Sequence, residues 1–269
     1  MLKLIRRAYA VFKAYALSDL VRSKGFVYGL ISFSIWILLF MSPLTLFMDP
    51  QQSPQTIAAY GFTAILIFMF YGAATWDWAA ELRWMINDGR LEYYIASGSG
   101  FLPHYLGILP ISLIWVFFAM FVNYIVLSII WGPPALAVID ISMLIYGLAL
   151  LLINLIAYAL ILGGTIIASG VSGFIMEIIS FILPVATGGL TPLSKLPKPL
   201  QTFALLTPFS YPAEIIRYSI LGWLPVVEFP QLIARGMLFA IAFLAISLTY
   251  FRYQIKKILR EGTRATALW

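Results

Sequence analysis

Of 269 residues, 62% are apolar and only 10% charged, and the mean hydropathy is +0.95. A soluble domain carries roughly a quarter charged residues, so this composition excludes one and places most of the chain in lipid. The net charge of +6 would suggest nucleic acid in a soluble protein, but here it gathers beside apolar runs. The absence of Cys, with His104 as the single histidine, excludes disulfides, thiolate metal sites and cysteine nucleophiles.

Residues 1–25 read as an amphipathic interfacial helix. Lys3, Arg6, Arg7 and Lys13 lie mostly on one side and Leu2, Leu4, Ile5, Tyr9, Phe12 and Leu20 largely on the other. An ordinary basic flank before a first span is the alternative. Charges at Asp19, Arg22 and Lys24 precede any long apolar run, which does not suit a cleavable signal. A bilayer core of about 30 Å needs about 20 helical residues. Spans are expected near 26–48 and 56–77, joined by a short outer loop marked by Pro50, Ser53 and Pro54, and near 105–130, closed by Trp131-Gly132-Pro133-Pro134. From 141 to 194 the only charge is Glu177, and a straight helix of that length would reach roughly 80 Å. It must fold back, and the small-residue cluster Ala168–Gly173 is the expected reversal, giving spans near 139–167 and 174–190. A sixth span near 231–252 leaves a basic tail, 253–269. Six spans put both termini on one side, and that side collects thirteen of the seventeen Lys and Arg residues, which predicts a cytoplasmic location for both.

Residues 184–230 hold eight of the fifteen prolines yet stay apolar. The segment is too apolar for a solvated loop and too broken for one helix, which predicts short re-entrant helices on the outer side, packed against protein. Glu214 and Arg217 fall on one helical face; they read either as an ion pair stabilising that helix or as part of the exit of a transport path.

Signs of catalysis are sparse. There is no GxxxxGK[ST] loop, no HExxH and no serine elbow. Gly98-Ser99-Gly100 reads as a flexible join. Asp77, Asp140 and Glu177 fall near expected span ends, where charge costs least, and His104 reads as an interfacial residue. Trp76, Trp78, Trp84, Trp131 and Trp223 suit membrane-interface belts, while mid-span aromatics such as Trp36, Trp115 and Tyr158 face lipid, neighbouring helices or an amphipathic substrate.

The most distinctive stretch is the charged island between the second and third spans. Across 79–97, Glu81, Asp88, Arg90 and Glu92 alternate with Leu82, Trp84, Met85, Ile86, Leu91, Tyr93 and Ile95, and Gly89 can break or tighten the element. By pattern alone it is an interfacial loop helix. Arg83 with Asp88-Gly89-Arg90-Leu91-Glu92, ending at Ser97, resembles the arginine and Gly-Thr-Leu-Glu segment of ABC type-2 permeases, the six-span membrane subunits of exporters driven by separate ATP-binding subunits. The series Gly188-Gly189-Leu190-Thr191-Pro192, Leu196-Pro197, Thr207-Pro208-Phe209-Ser210-Tyr211, Glu214, Arg217 and Leu221-Gly222 resembles that family's second signature. Arg90 departs from the usual threonine. Ser18–Gly25 stands where polysaccharide exporters carry a different pattern, which favours a drug, lipid or peptide as cargo over a polysaccharide; an ion stays the alternative.

The resemblance implies an all-α membrane protein: six transmembrane helices, an N-terminal interfacial helix, a cytoplasmic coupling helix and re-entrant outer helices between spans five and six. It implies a non-enzymatic permease in the plasma membrane that pairs with a second permease subunit, identical or related. Glu81, Arg83, Trp84, Asp88, Gly89, Arg90, Leu91 and Glu92, with Tyr93, would meet an ABC ATP-binding subunit, which carries ATP and magnesium; no cofactor or metal is expected on this chain, and no nucleic acid. The turn at Ala168–Gly173 would make a second contact. A self-sufficient secondary transporter or channel is the competing reading, and a membrane-embedded enzyme the third.

Overall fold

The computed structural model describes residues 2–46, 53–98, 101–169 and 173–261. It is helical over 85% of its length, with no strand among the described residues. Four helical stretches are long and apolar enough to cross a membrane: Pro54–Asn87, Leu102–Trp131, Ile141–Ser169 and Phe229–Glu261. Their lengths of 34, 30, 29 and 33 residues all exceed the roughly 20 that a bilayer core requires. The chain therefore has the build of a helical membrane protein. Two further apolar helices, Lys24–Leu46 and Gly173–Ala186, stand where the first and fifth spans are expected. The second has 14 residues, about 21 Å of helix, shorter than a bilayer core. Parts of the expected loops (47–52, 99–100 and 170–172) and the end of the tail (262–269) lie outside the described residues.

The helices fall into two compact units, one of residues 1–62 and 92–136, the other of 63–91 and 137–269. In the first, α1 (Leu2–Tyr15) continues as a π-helical turn, Ala16–Val21, before α2 (Lys24–Leu46) begins. α1 packs along α6 (Leu102–Trp131). The approach is close because Gly107 has no side chain: a Cβ there would stand 2.6 Å from the Cβ of Val11 and 2.7 Å from the carbonyl oxygen of Ala8. Leu4, Ala8, Val11, Phe12 and Tyr15 are the partly covered residues, spaced as one helical face. The apolar stripe expected to face the membrane is thus divided: Leu4 and Phe12 are partly covered, whereas Ile5 and Tyr9 are exposed. α2 packs on α6 through aromatic rings, with Phe33 edge-on to Trp115 and Phe26 edge-on to Phe118.

In the second unit the long helix α7 (Ile141–Ser169) is the axis. Its start is capped by Asp140, whose Oδ1 accepts a bond from the Met143 amide at 3.0 Å. α11 (Phe229–Glu261) runs along it, with Thr165 bonded to the Tyr250 hydroxyl near the far end. The tail expected to begin at 253 is therefore helical as far as Glu261, continuous with the last apolar run. The proline-rich segment folds as short helices: a 3₁₀ turn (Leu193–Lys195), α9 (Lys198–Leu205) and α10 (Ser210–Leu221). α10 lies on the first turns of α7, where Gly147 admits Ile215 and Ile216. Leu150, Tyr211, Ile215, Leu232 and Ala240 form the core at that end.

The second expected span does not stop at 77. α3 (Pro54–Gly72) passes through a π-helical stretch, Ala73–Ala79, directly into α4 (Ala80–Asn87). The wider π turns leave Thr75 buried and able to bond the Tyr158 hydroxyl of α7 at 3.0 Å. Both the π stretch and α4 pack on α7.

Candidate functional site

The charged island is a helix, a turn and a helix: α4, then Asp88-Gly89, then α5 (Arg90–Ala96). Gly89 has φ of +67°, a left-handed conformation that suits glycine just past a helix end, and its amide donates to the Ile86 carbonyl at 3.1 Å. Arg90 closes the turn. Its Nη2 meets Asp88 Oδ2 at 2.7 Å and its Nη1 lies 3.7 Å from Glu81 Oε1. Arg90 is thus a local clasp between two carboxylates.

The expected contact residues separate by exposure. Glu81 is buried and turned toward Arg90, and Leu91 is buried in its own unit. Leu82 and Met85 are likewise part of the core beneath α4. Trp84, Tyr93 and Glu92 are exposed, Tyr93 at 79%. Arg83 is half-buried beside Gly173, the first residue of α8 (Gly173–Ala186): a Cβ on Gly173 would stand 3.1 Å from its Nη1. The side chain of Arg83 and Gly173, where the expected reversal ends, are read separately in the sequence and are neighbours in space. No ion pair of Arg83 occurs among the described residues.

At the other end of α7 lies the second charged locus. Arg217 and Glu214 are 2% and 5% exposed. Arg217 Nη1 donates to Glu214 Oε1 at 3.1 Å, and Nη2 donates to the carbonyls of Gly188 and Gly189. Glu214 in turn accepts the amides of Leu193 and Val226, each at 3.3 Å. Two charges can stay buried when each is so paired. The pair draws the end of α8, the 3₁₀ turn and the loop after α10 around one helix.

Between these loci, sequence reasoning missed a set of hydroxyl contacts. The Tyr71 hydroxyl pairs with Thr187 at 3.0 Å and Thr75 pairs with Tyr158; the Phe209 ring touches both tyrosines. Tyr71 and Thr75, four apart inside an apolar run, are the available signal. His104 was missed in another way. It is buried in the first unit, its Nδ1 2.7 Å from the Tyr94 hydroxyl, among the rings of Tyr15, Tyr94 and Tyr105. Among the described residues no three His, Asp or Glu side chains come together as a metal site would require.

A scan against protein-family models finds no match to this chain, and a search of curated proteins finds none either.

Proposed function

We propose that this chain is the membrane subunit of an exporter of the ABC type-2 kind, moving an amphipathic cargo such as a drug, lipid or peptide with work supplied by a separate ATP-binding subunit. The observation that carries this reading is the braced turn between α4 and α5. An interfacial helix that merely floats on lipid has no need of an arginine clasp on two carboxylates. Here the clasp stands at a turn that leaves Trp84 and Tyr93 exposed, large side chains of the kind that anchor protein interfaces. α4 is also continuous with an apolar helix and packed on α7, so a push on the turn would pass into both. Arg83, beside Gly173 and without an ion pair among the described residues, suits a carboxylate on the partner.

In this reading the turn faces the cytoplasm, both termini share its side, six helices span the membrane and two such subunits flank the cargo route. Closure of the ATP-binding subunits rocks the two halves as rigid bodies. The residues of this chain supply docking and transmission, and hydrolysis takes place on the partner. The test is purification from native membranes in mild detergent, followed by ATPase assay. Co-purification of an ATP-binding subunit is expected, with cargo-stimulated hydrolysis reduced about tenfold by Arg90→Glu. Transport by the purified chain alone in liposomes would overturn the reading.

A further inference from the structure

The last helix carries two unlike halves on one face. Leu232, Gly236, Ala240, Ser247, Phe251 and Gln254 are its buried residues, and at 3.6 residues per turn they form a single stripe, the side turned to the rest of its unit. Flanking that stripe is an open apolar groove of about 560 Å³, lined by Ala245, Ile246, Thr249, Tyr250 and Tyr253, with the Tyr250 hydroxyl reaching back to Thr165 of α7. Carried forward by the same helical period, that arc contains Lys256, Lys257 and Arg260, with Arg252 at its edge. All four cations are exposed, and none makes an ion pair among the described residues. Lys256 lies about one turn, ~5 Å, beyond the groove.

We infer that this face binds an anionic phospholipid, with one acyl chain in the groove and the phosphate on Lys256, Lys257 and Arg260. A hydrocarbon chain matches a groove whose lining is almost wholly apolar, and a headgroup at the end of that chain stands where the cations are. A cluster of roughly four or more basic residues next to an apolar helix is the recognised signature of anionic-lipid recognition. A second copy of this chain is the poorer occupant. A symmetric contact places the same patch on both partners, so the unpaired cations would face their own kind. The inference needs only the membrane build of the chain and stands apart from the proposed export function.

The test measures binding of fluorescent phosphatidylglycerol and phosphatidylcholine to the full purified chain in mixed micelles. With each cation near the surface contributing about a fivefold gain, wild-type chain is expected to prefer phosphatidylglycerol by about tenfold or more. The K256E/K257E/R260E variant is expected to lose that preference while still binding phosphatidylcholine. K256Q/K257Q, a gentler change that guards against misfolding, is expected to lower it several-fold. Ala245→Trp fills the groove and is expected to weaken both lipids alike. Equal affinity of wild-type chain for the two lipids would overturn the inference. So would full competition by inorganic phosphate, which would assign the cations to a free anion. Thr249→Cys places the sole thiol in a chain without cysteine; efficient disulfide dimerisation through it in native membranes would assign the face to a second copy and overturn the lipid site.

Discussion

With Nη1 on Glu214 and Nη2 on two glycine carbonyls, Arg217 uses the forked geometry that distinguishes arginine from lysine. Arg217→Met leaves the Glu214 carboxylate buried beside two amides but without its cation. Loss of one member of such a pair costs about 3–5 kcal/mol, so a fall in thermal stability in detergent and in the yield of inserted protein is expected. Adding Glu214→Gln should restore part of the loss, because the charge left behind is then removed; a double variant no more stable than Arg217→Met would contradict the pairing. Gly89 makes a smaller case. No atom lies within 4 Å of a Cβ built there, so Gly89→Ala meets only the backbone cost of a left-handed residue, about 1 kcal/mol. The chain should still fold, and on the proposed function a complex reconstituted with an ATP-binding subunit should show weaker coupling with unchanged insertion.

At the scale of elements, the π-helical stretch Ala73–Ala79 sets the rotation of α4 relative to α3. Deleting Ala74 would turn all that follows by about 100°. Leu82 and Met85 would leave the core and the clasp residues would point elsewhere. The expected result is a chain that inserts poorly or, on the proposed function, one that inserts and no longer supports cargo-stimulated ATPase; normal insertion and activity would show that the π stretch is incidental. Hydropathy could not reveal this feature, because α-helix and π-helix read alike as an apolar run, and the expected end at 77 follows Asp77 rather than the backbone. The short helices of the proline-rich segment were legible for the opposite reason. Pro197, Pro199 and Pro212 forbid one continuous helix, and the segment breaks into α9 and α10. The cover that its apolar composition demands is met in α10, whereas in α9 only Ala204 is buried and Leu200 and Phe203 are exposed. The pairing of Glu214 with Arg217 was also legible, being three apart on one helix. Its anchorage on Gly188 and Gly189 was not, since backbone carbonyls leave no trace in residue identity. His104 illustrates the same limit: its position before an apolar run points to the interface, but Tyr15, one of the rings around it, comes from α1, distant in sequence, and Tyr94 reaches it only because the chain turns back between α5 and α6.

For the whole molecule, four helices are long enough to cross a membrane, and the sidedness of the loops between them tests the proposed arrangement directly. The chain has no cysteine, so single substitutions report cleanly. If both termini share a side, Lys13→Cys and Lys257→Cys should react with a membrane-impermeant maleimide from the same face of sealed vesicles, and Lys198→Cys from the other. Labelling of Lys198→Cys together with Lys13→Cys would break the six-span arrangement that the proposed function requires.

The buried Arg217 lattice also imposes an order on biogenesis. Its glycine acceptors precede it by 28 and 29 positions, and Glu214 is completed only by the amide of Val226, twelve residues further on. Until the ribosome has delivered all of these, the guanidinium and the carboxylate have no finished home inside the protein. Nascent chains halted before Val226 should therefore be preferred targets of membrane-bound proteases, whereas those released after it should survive.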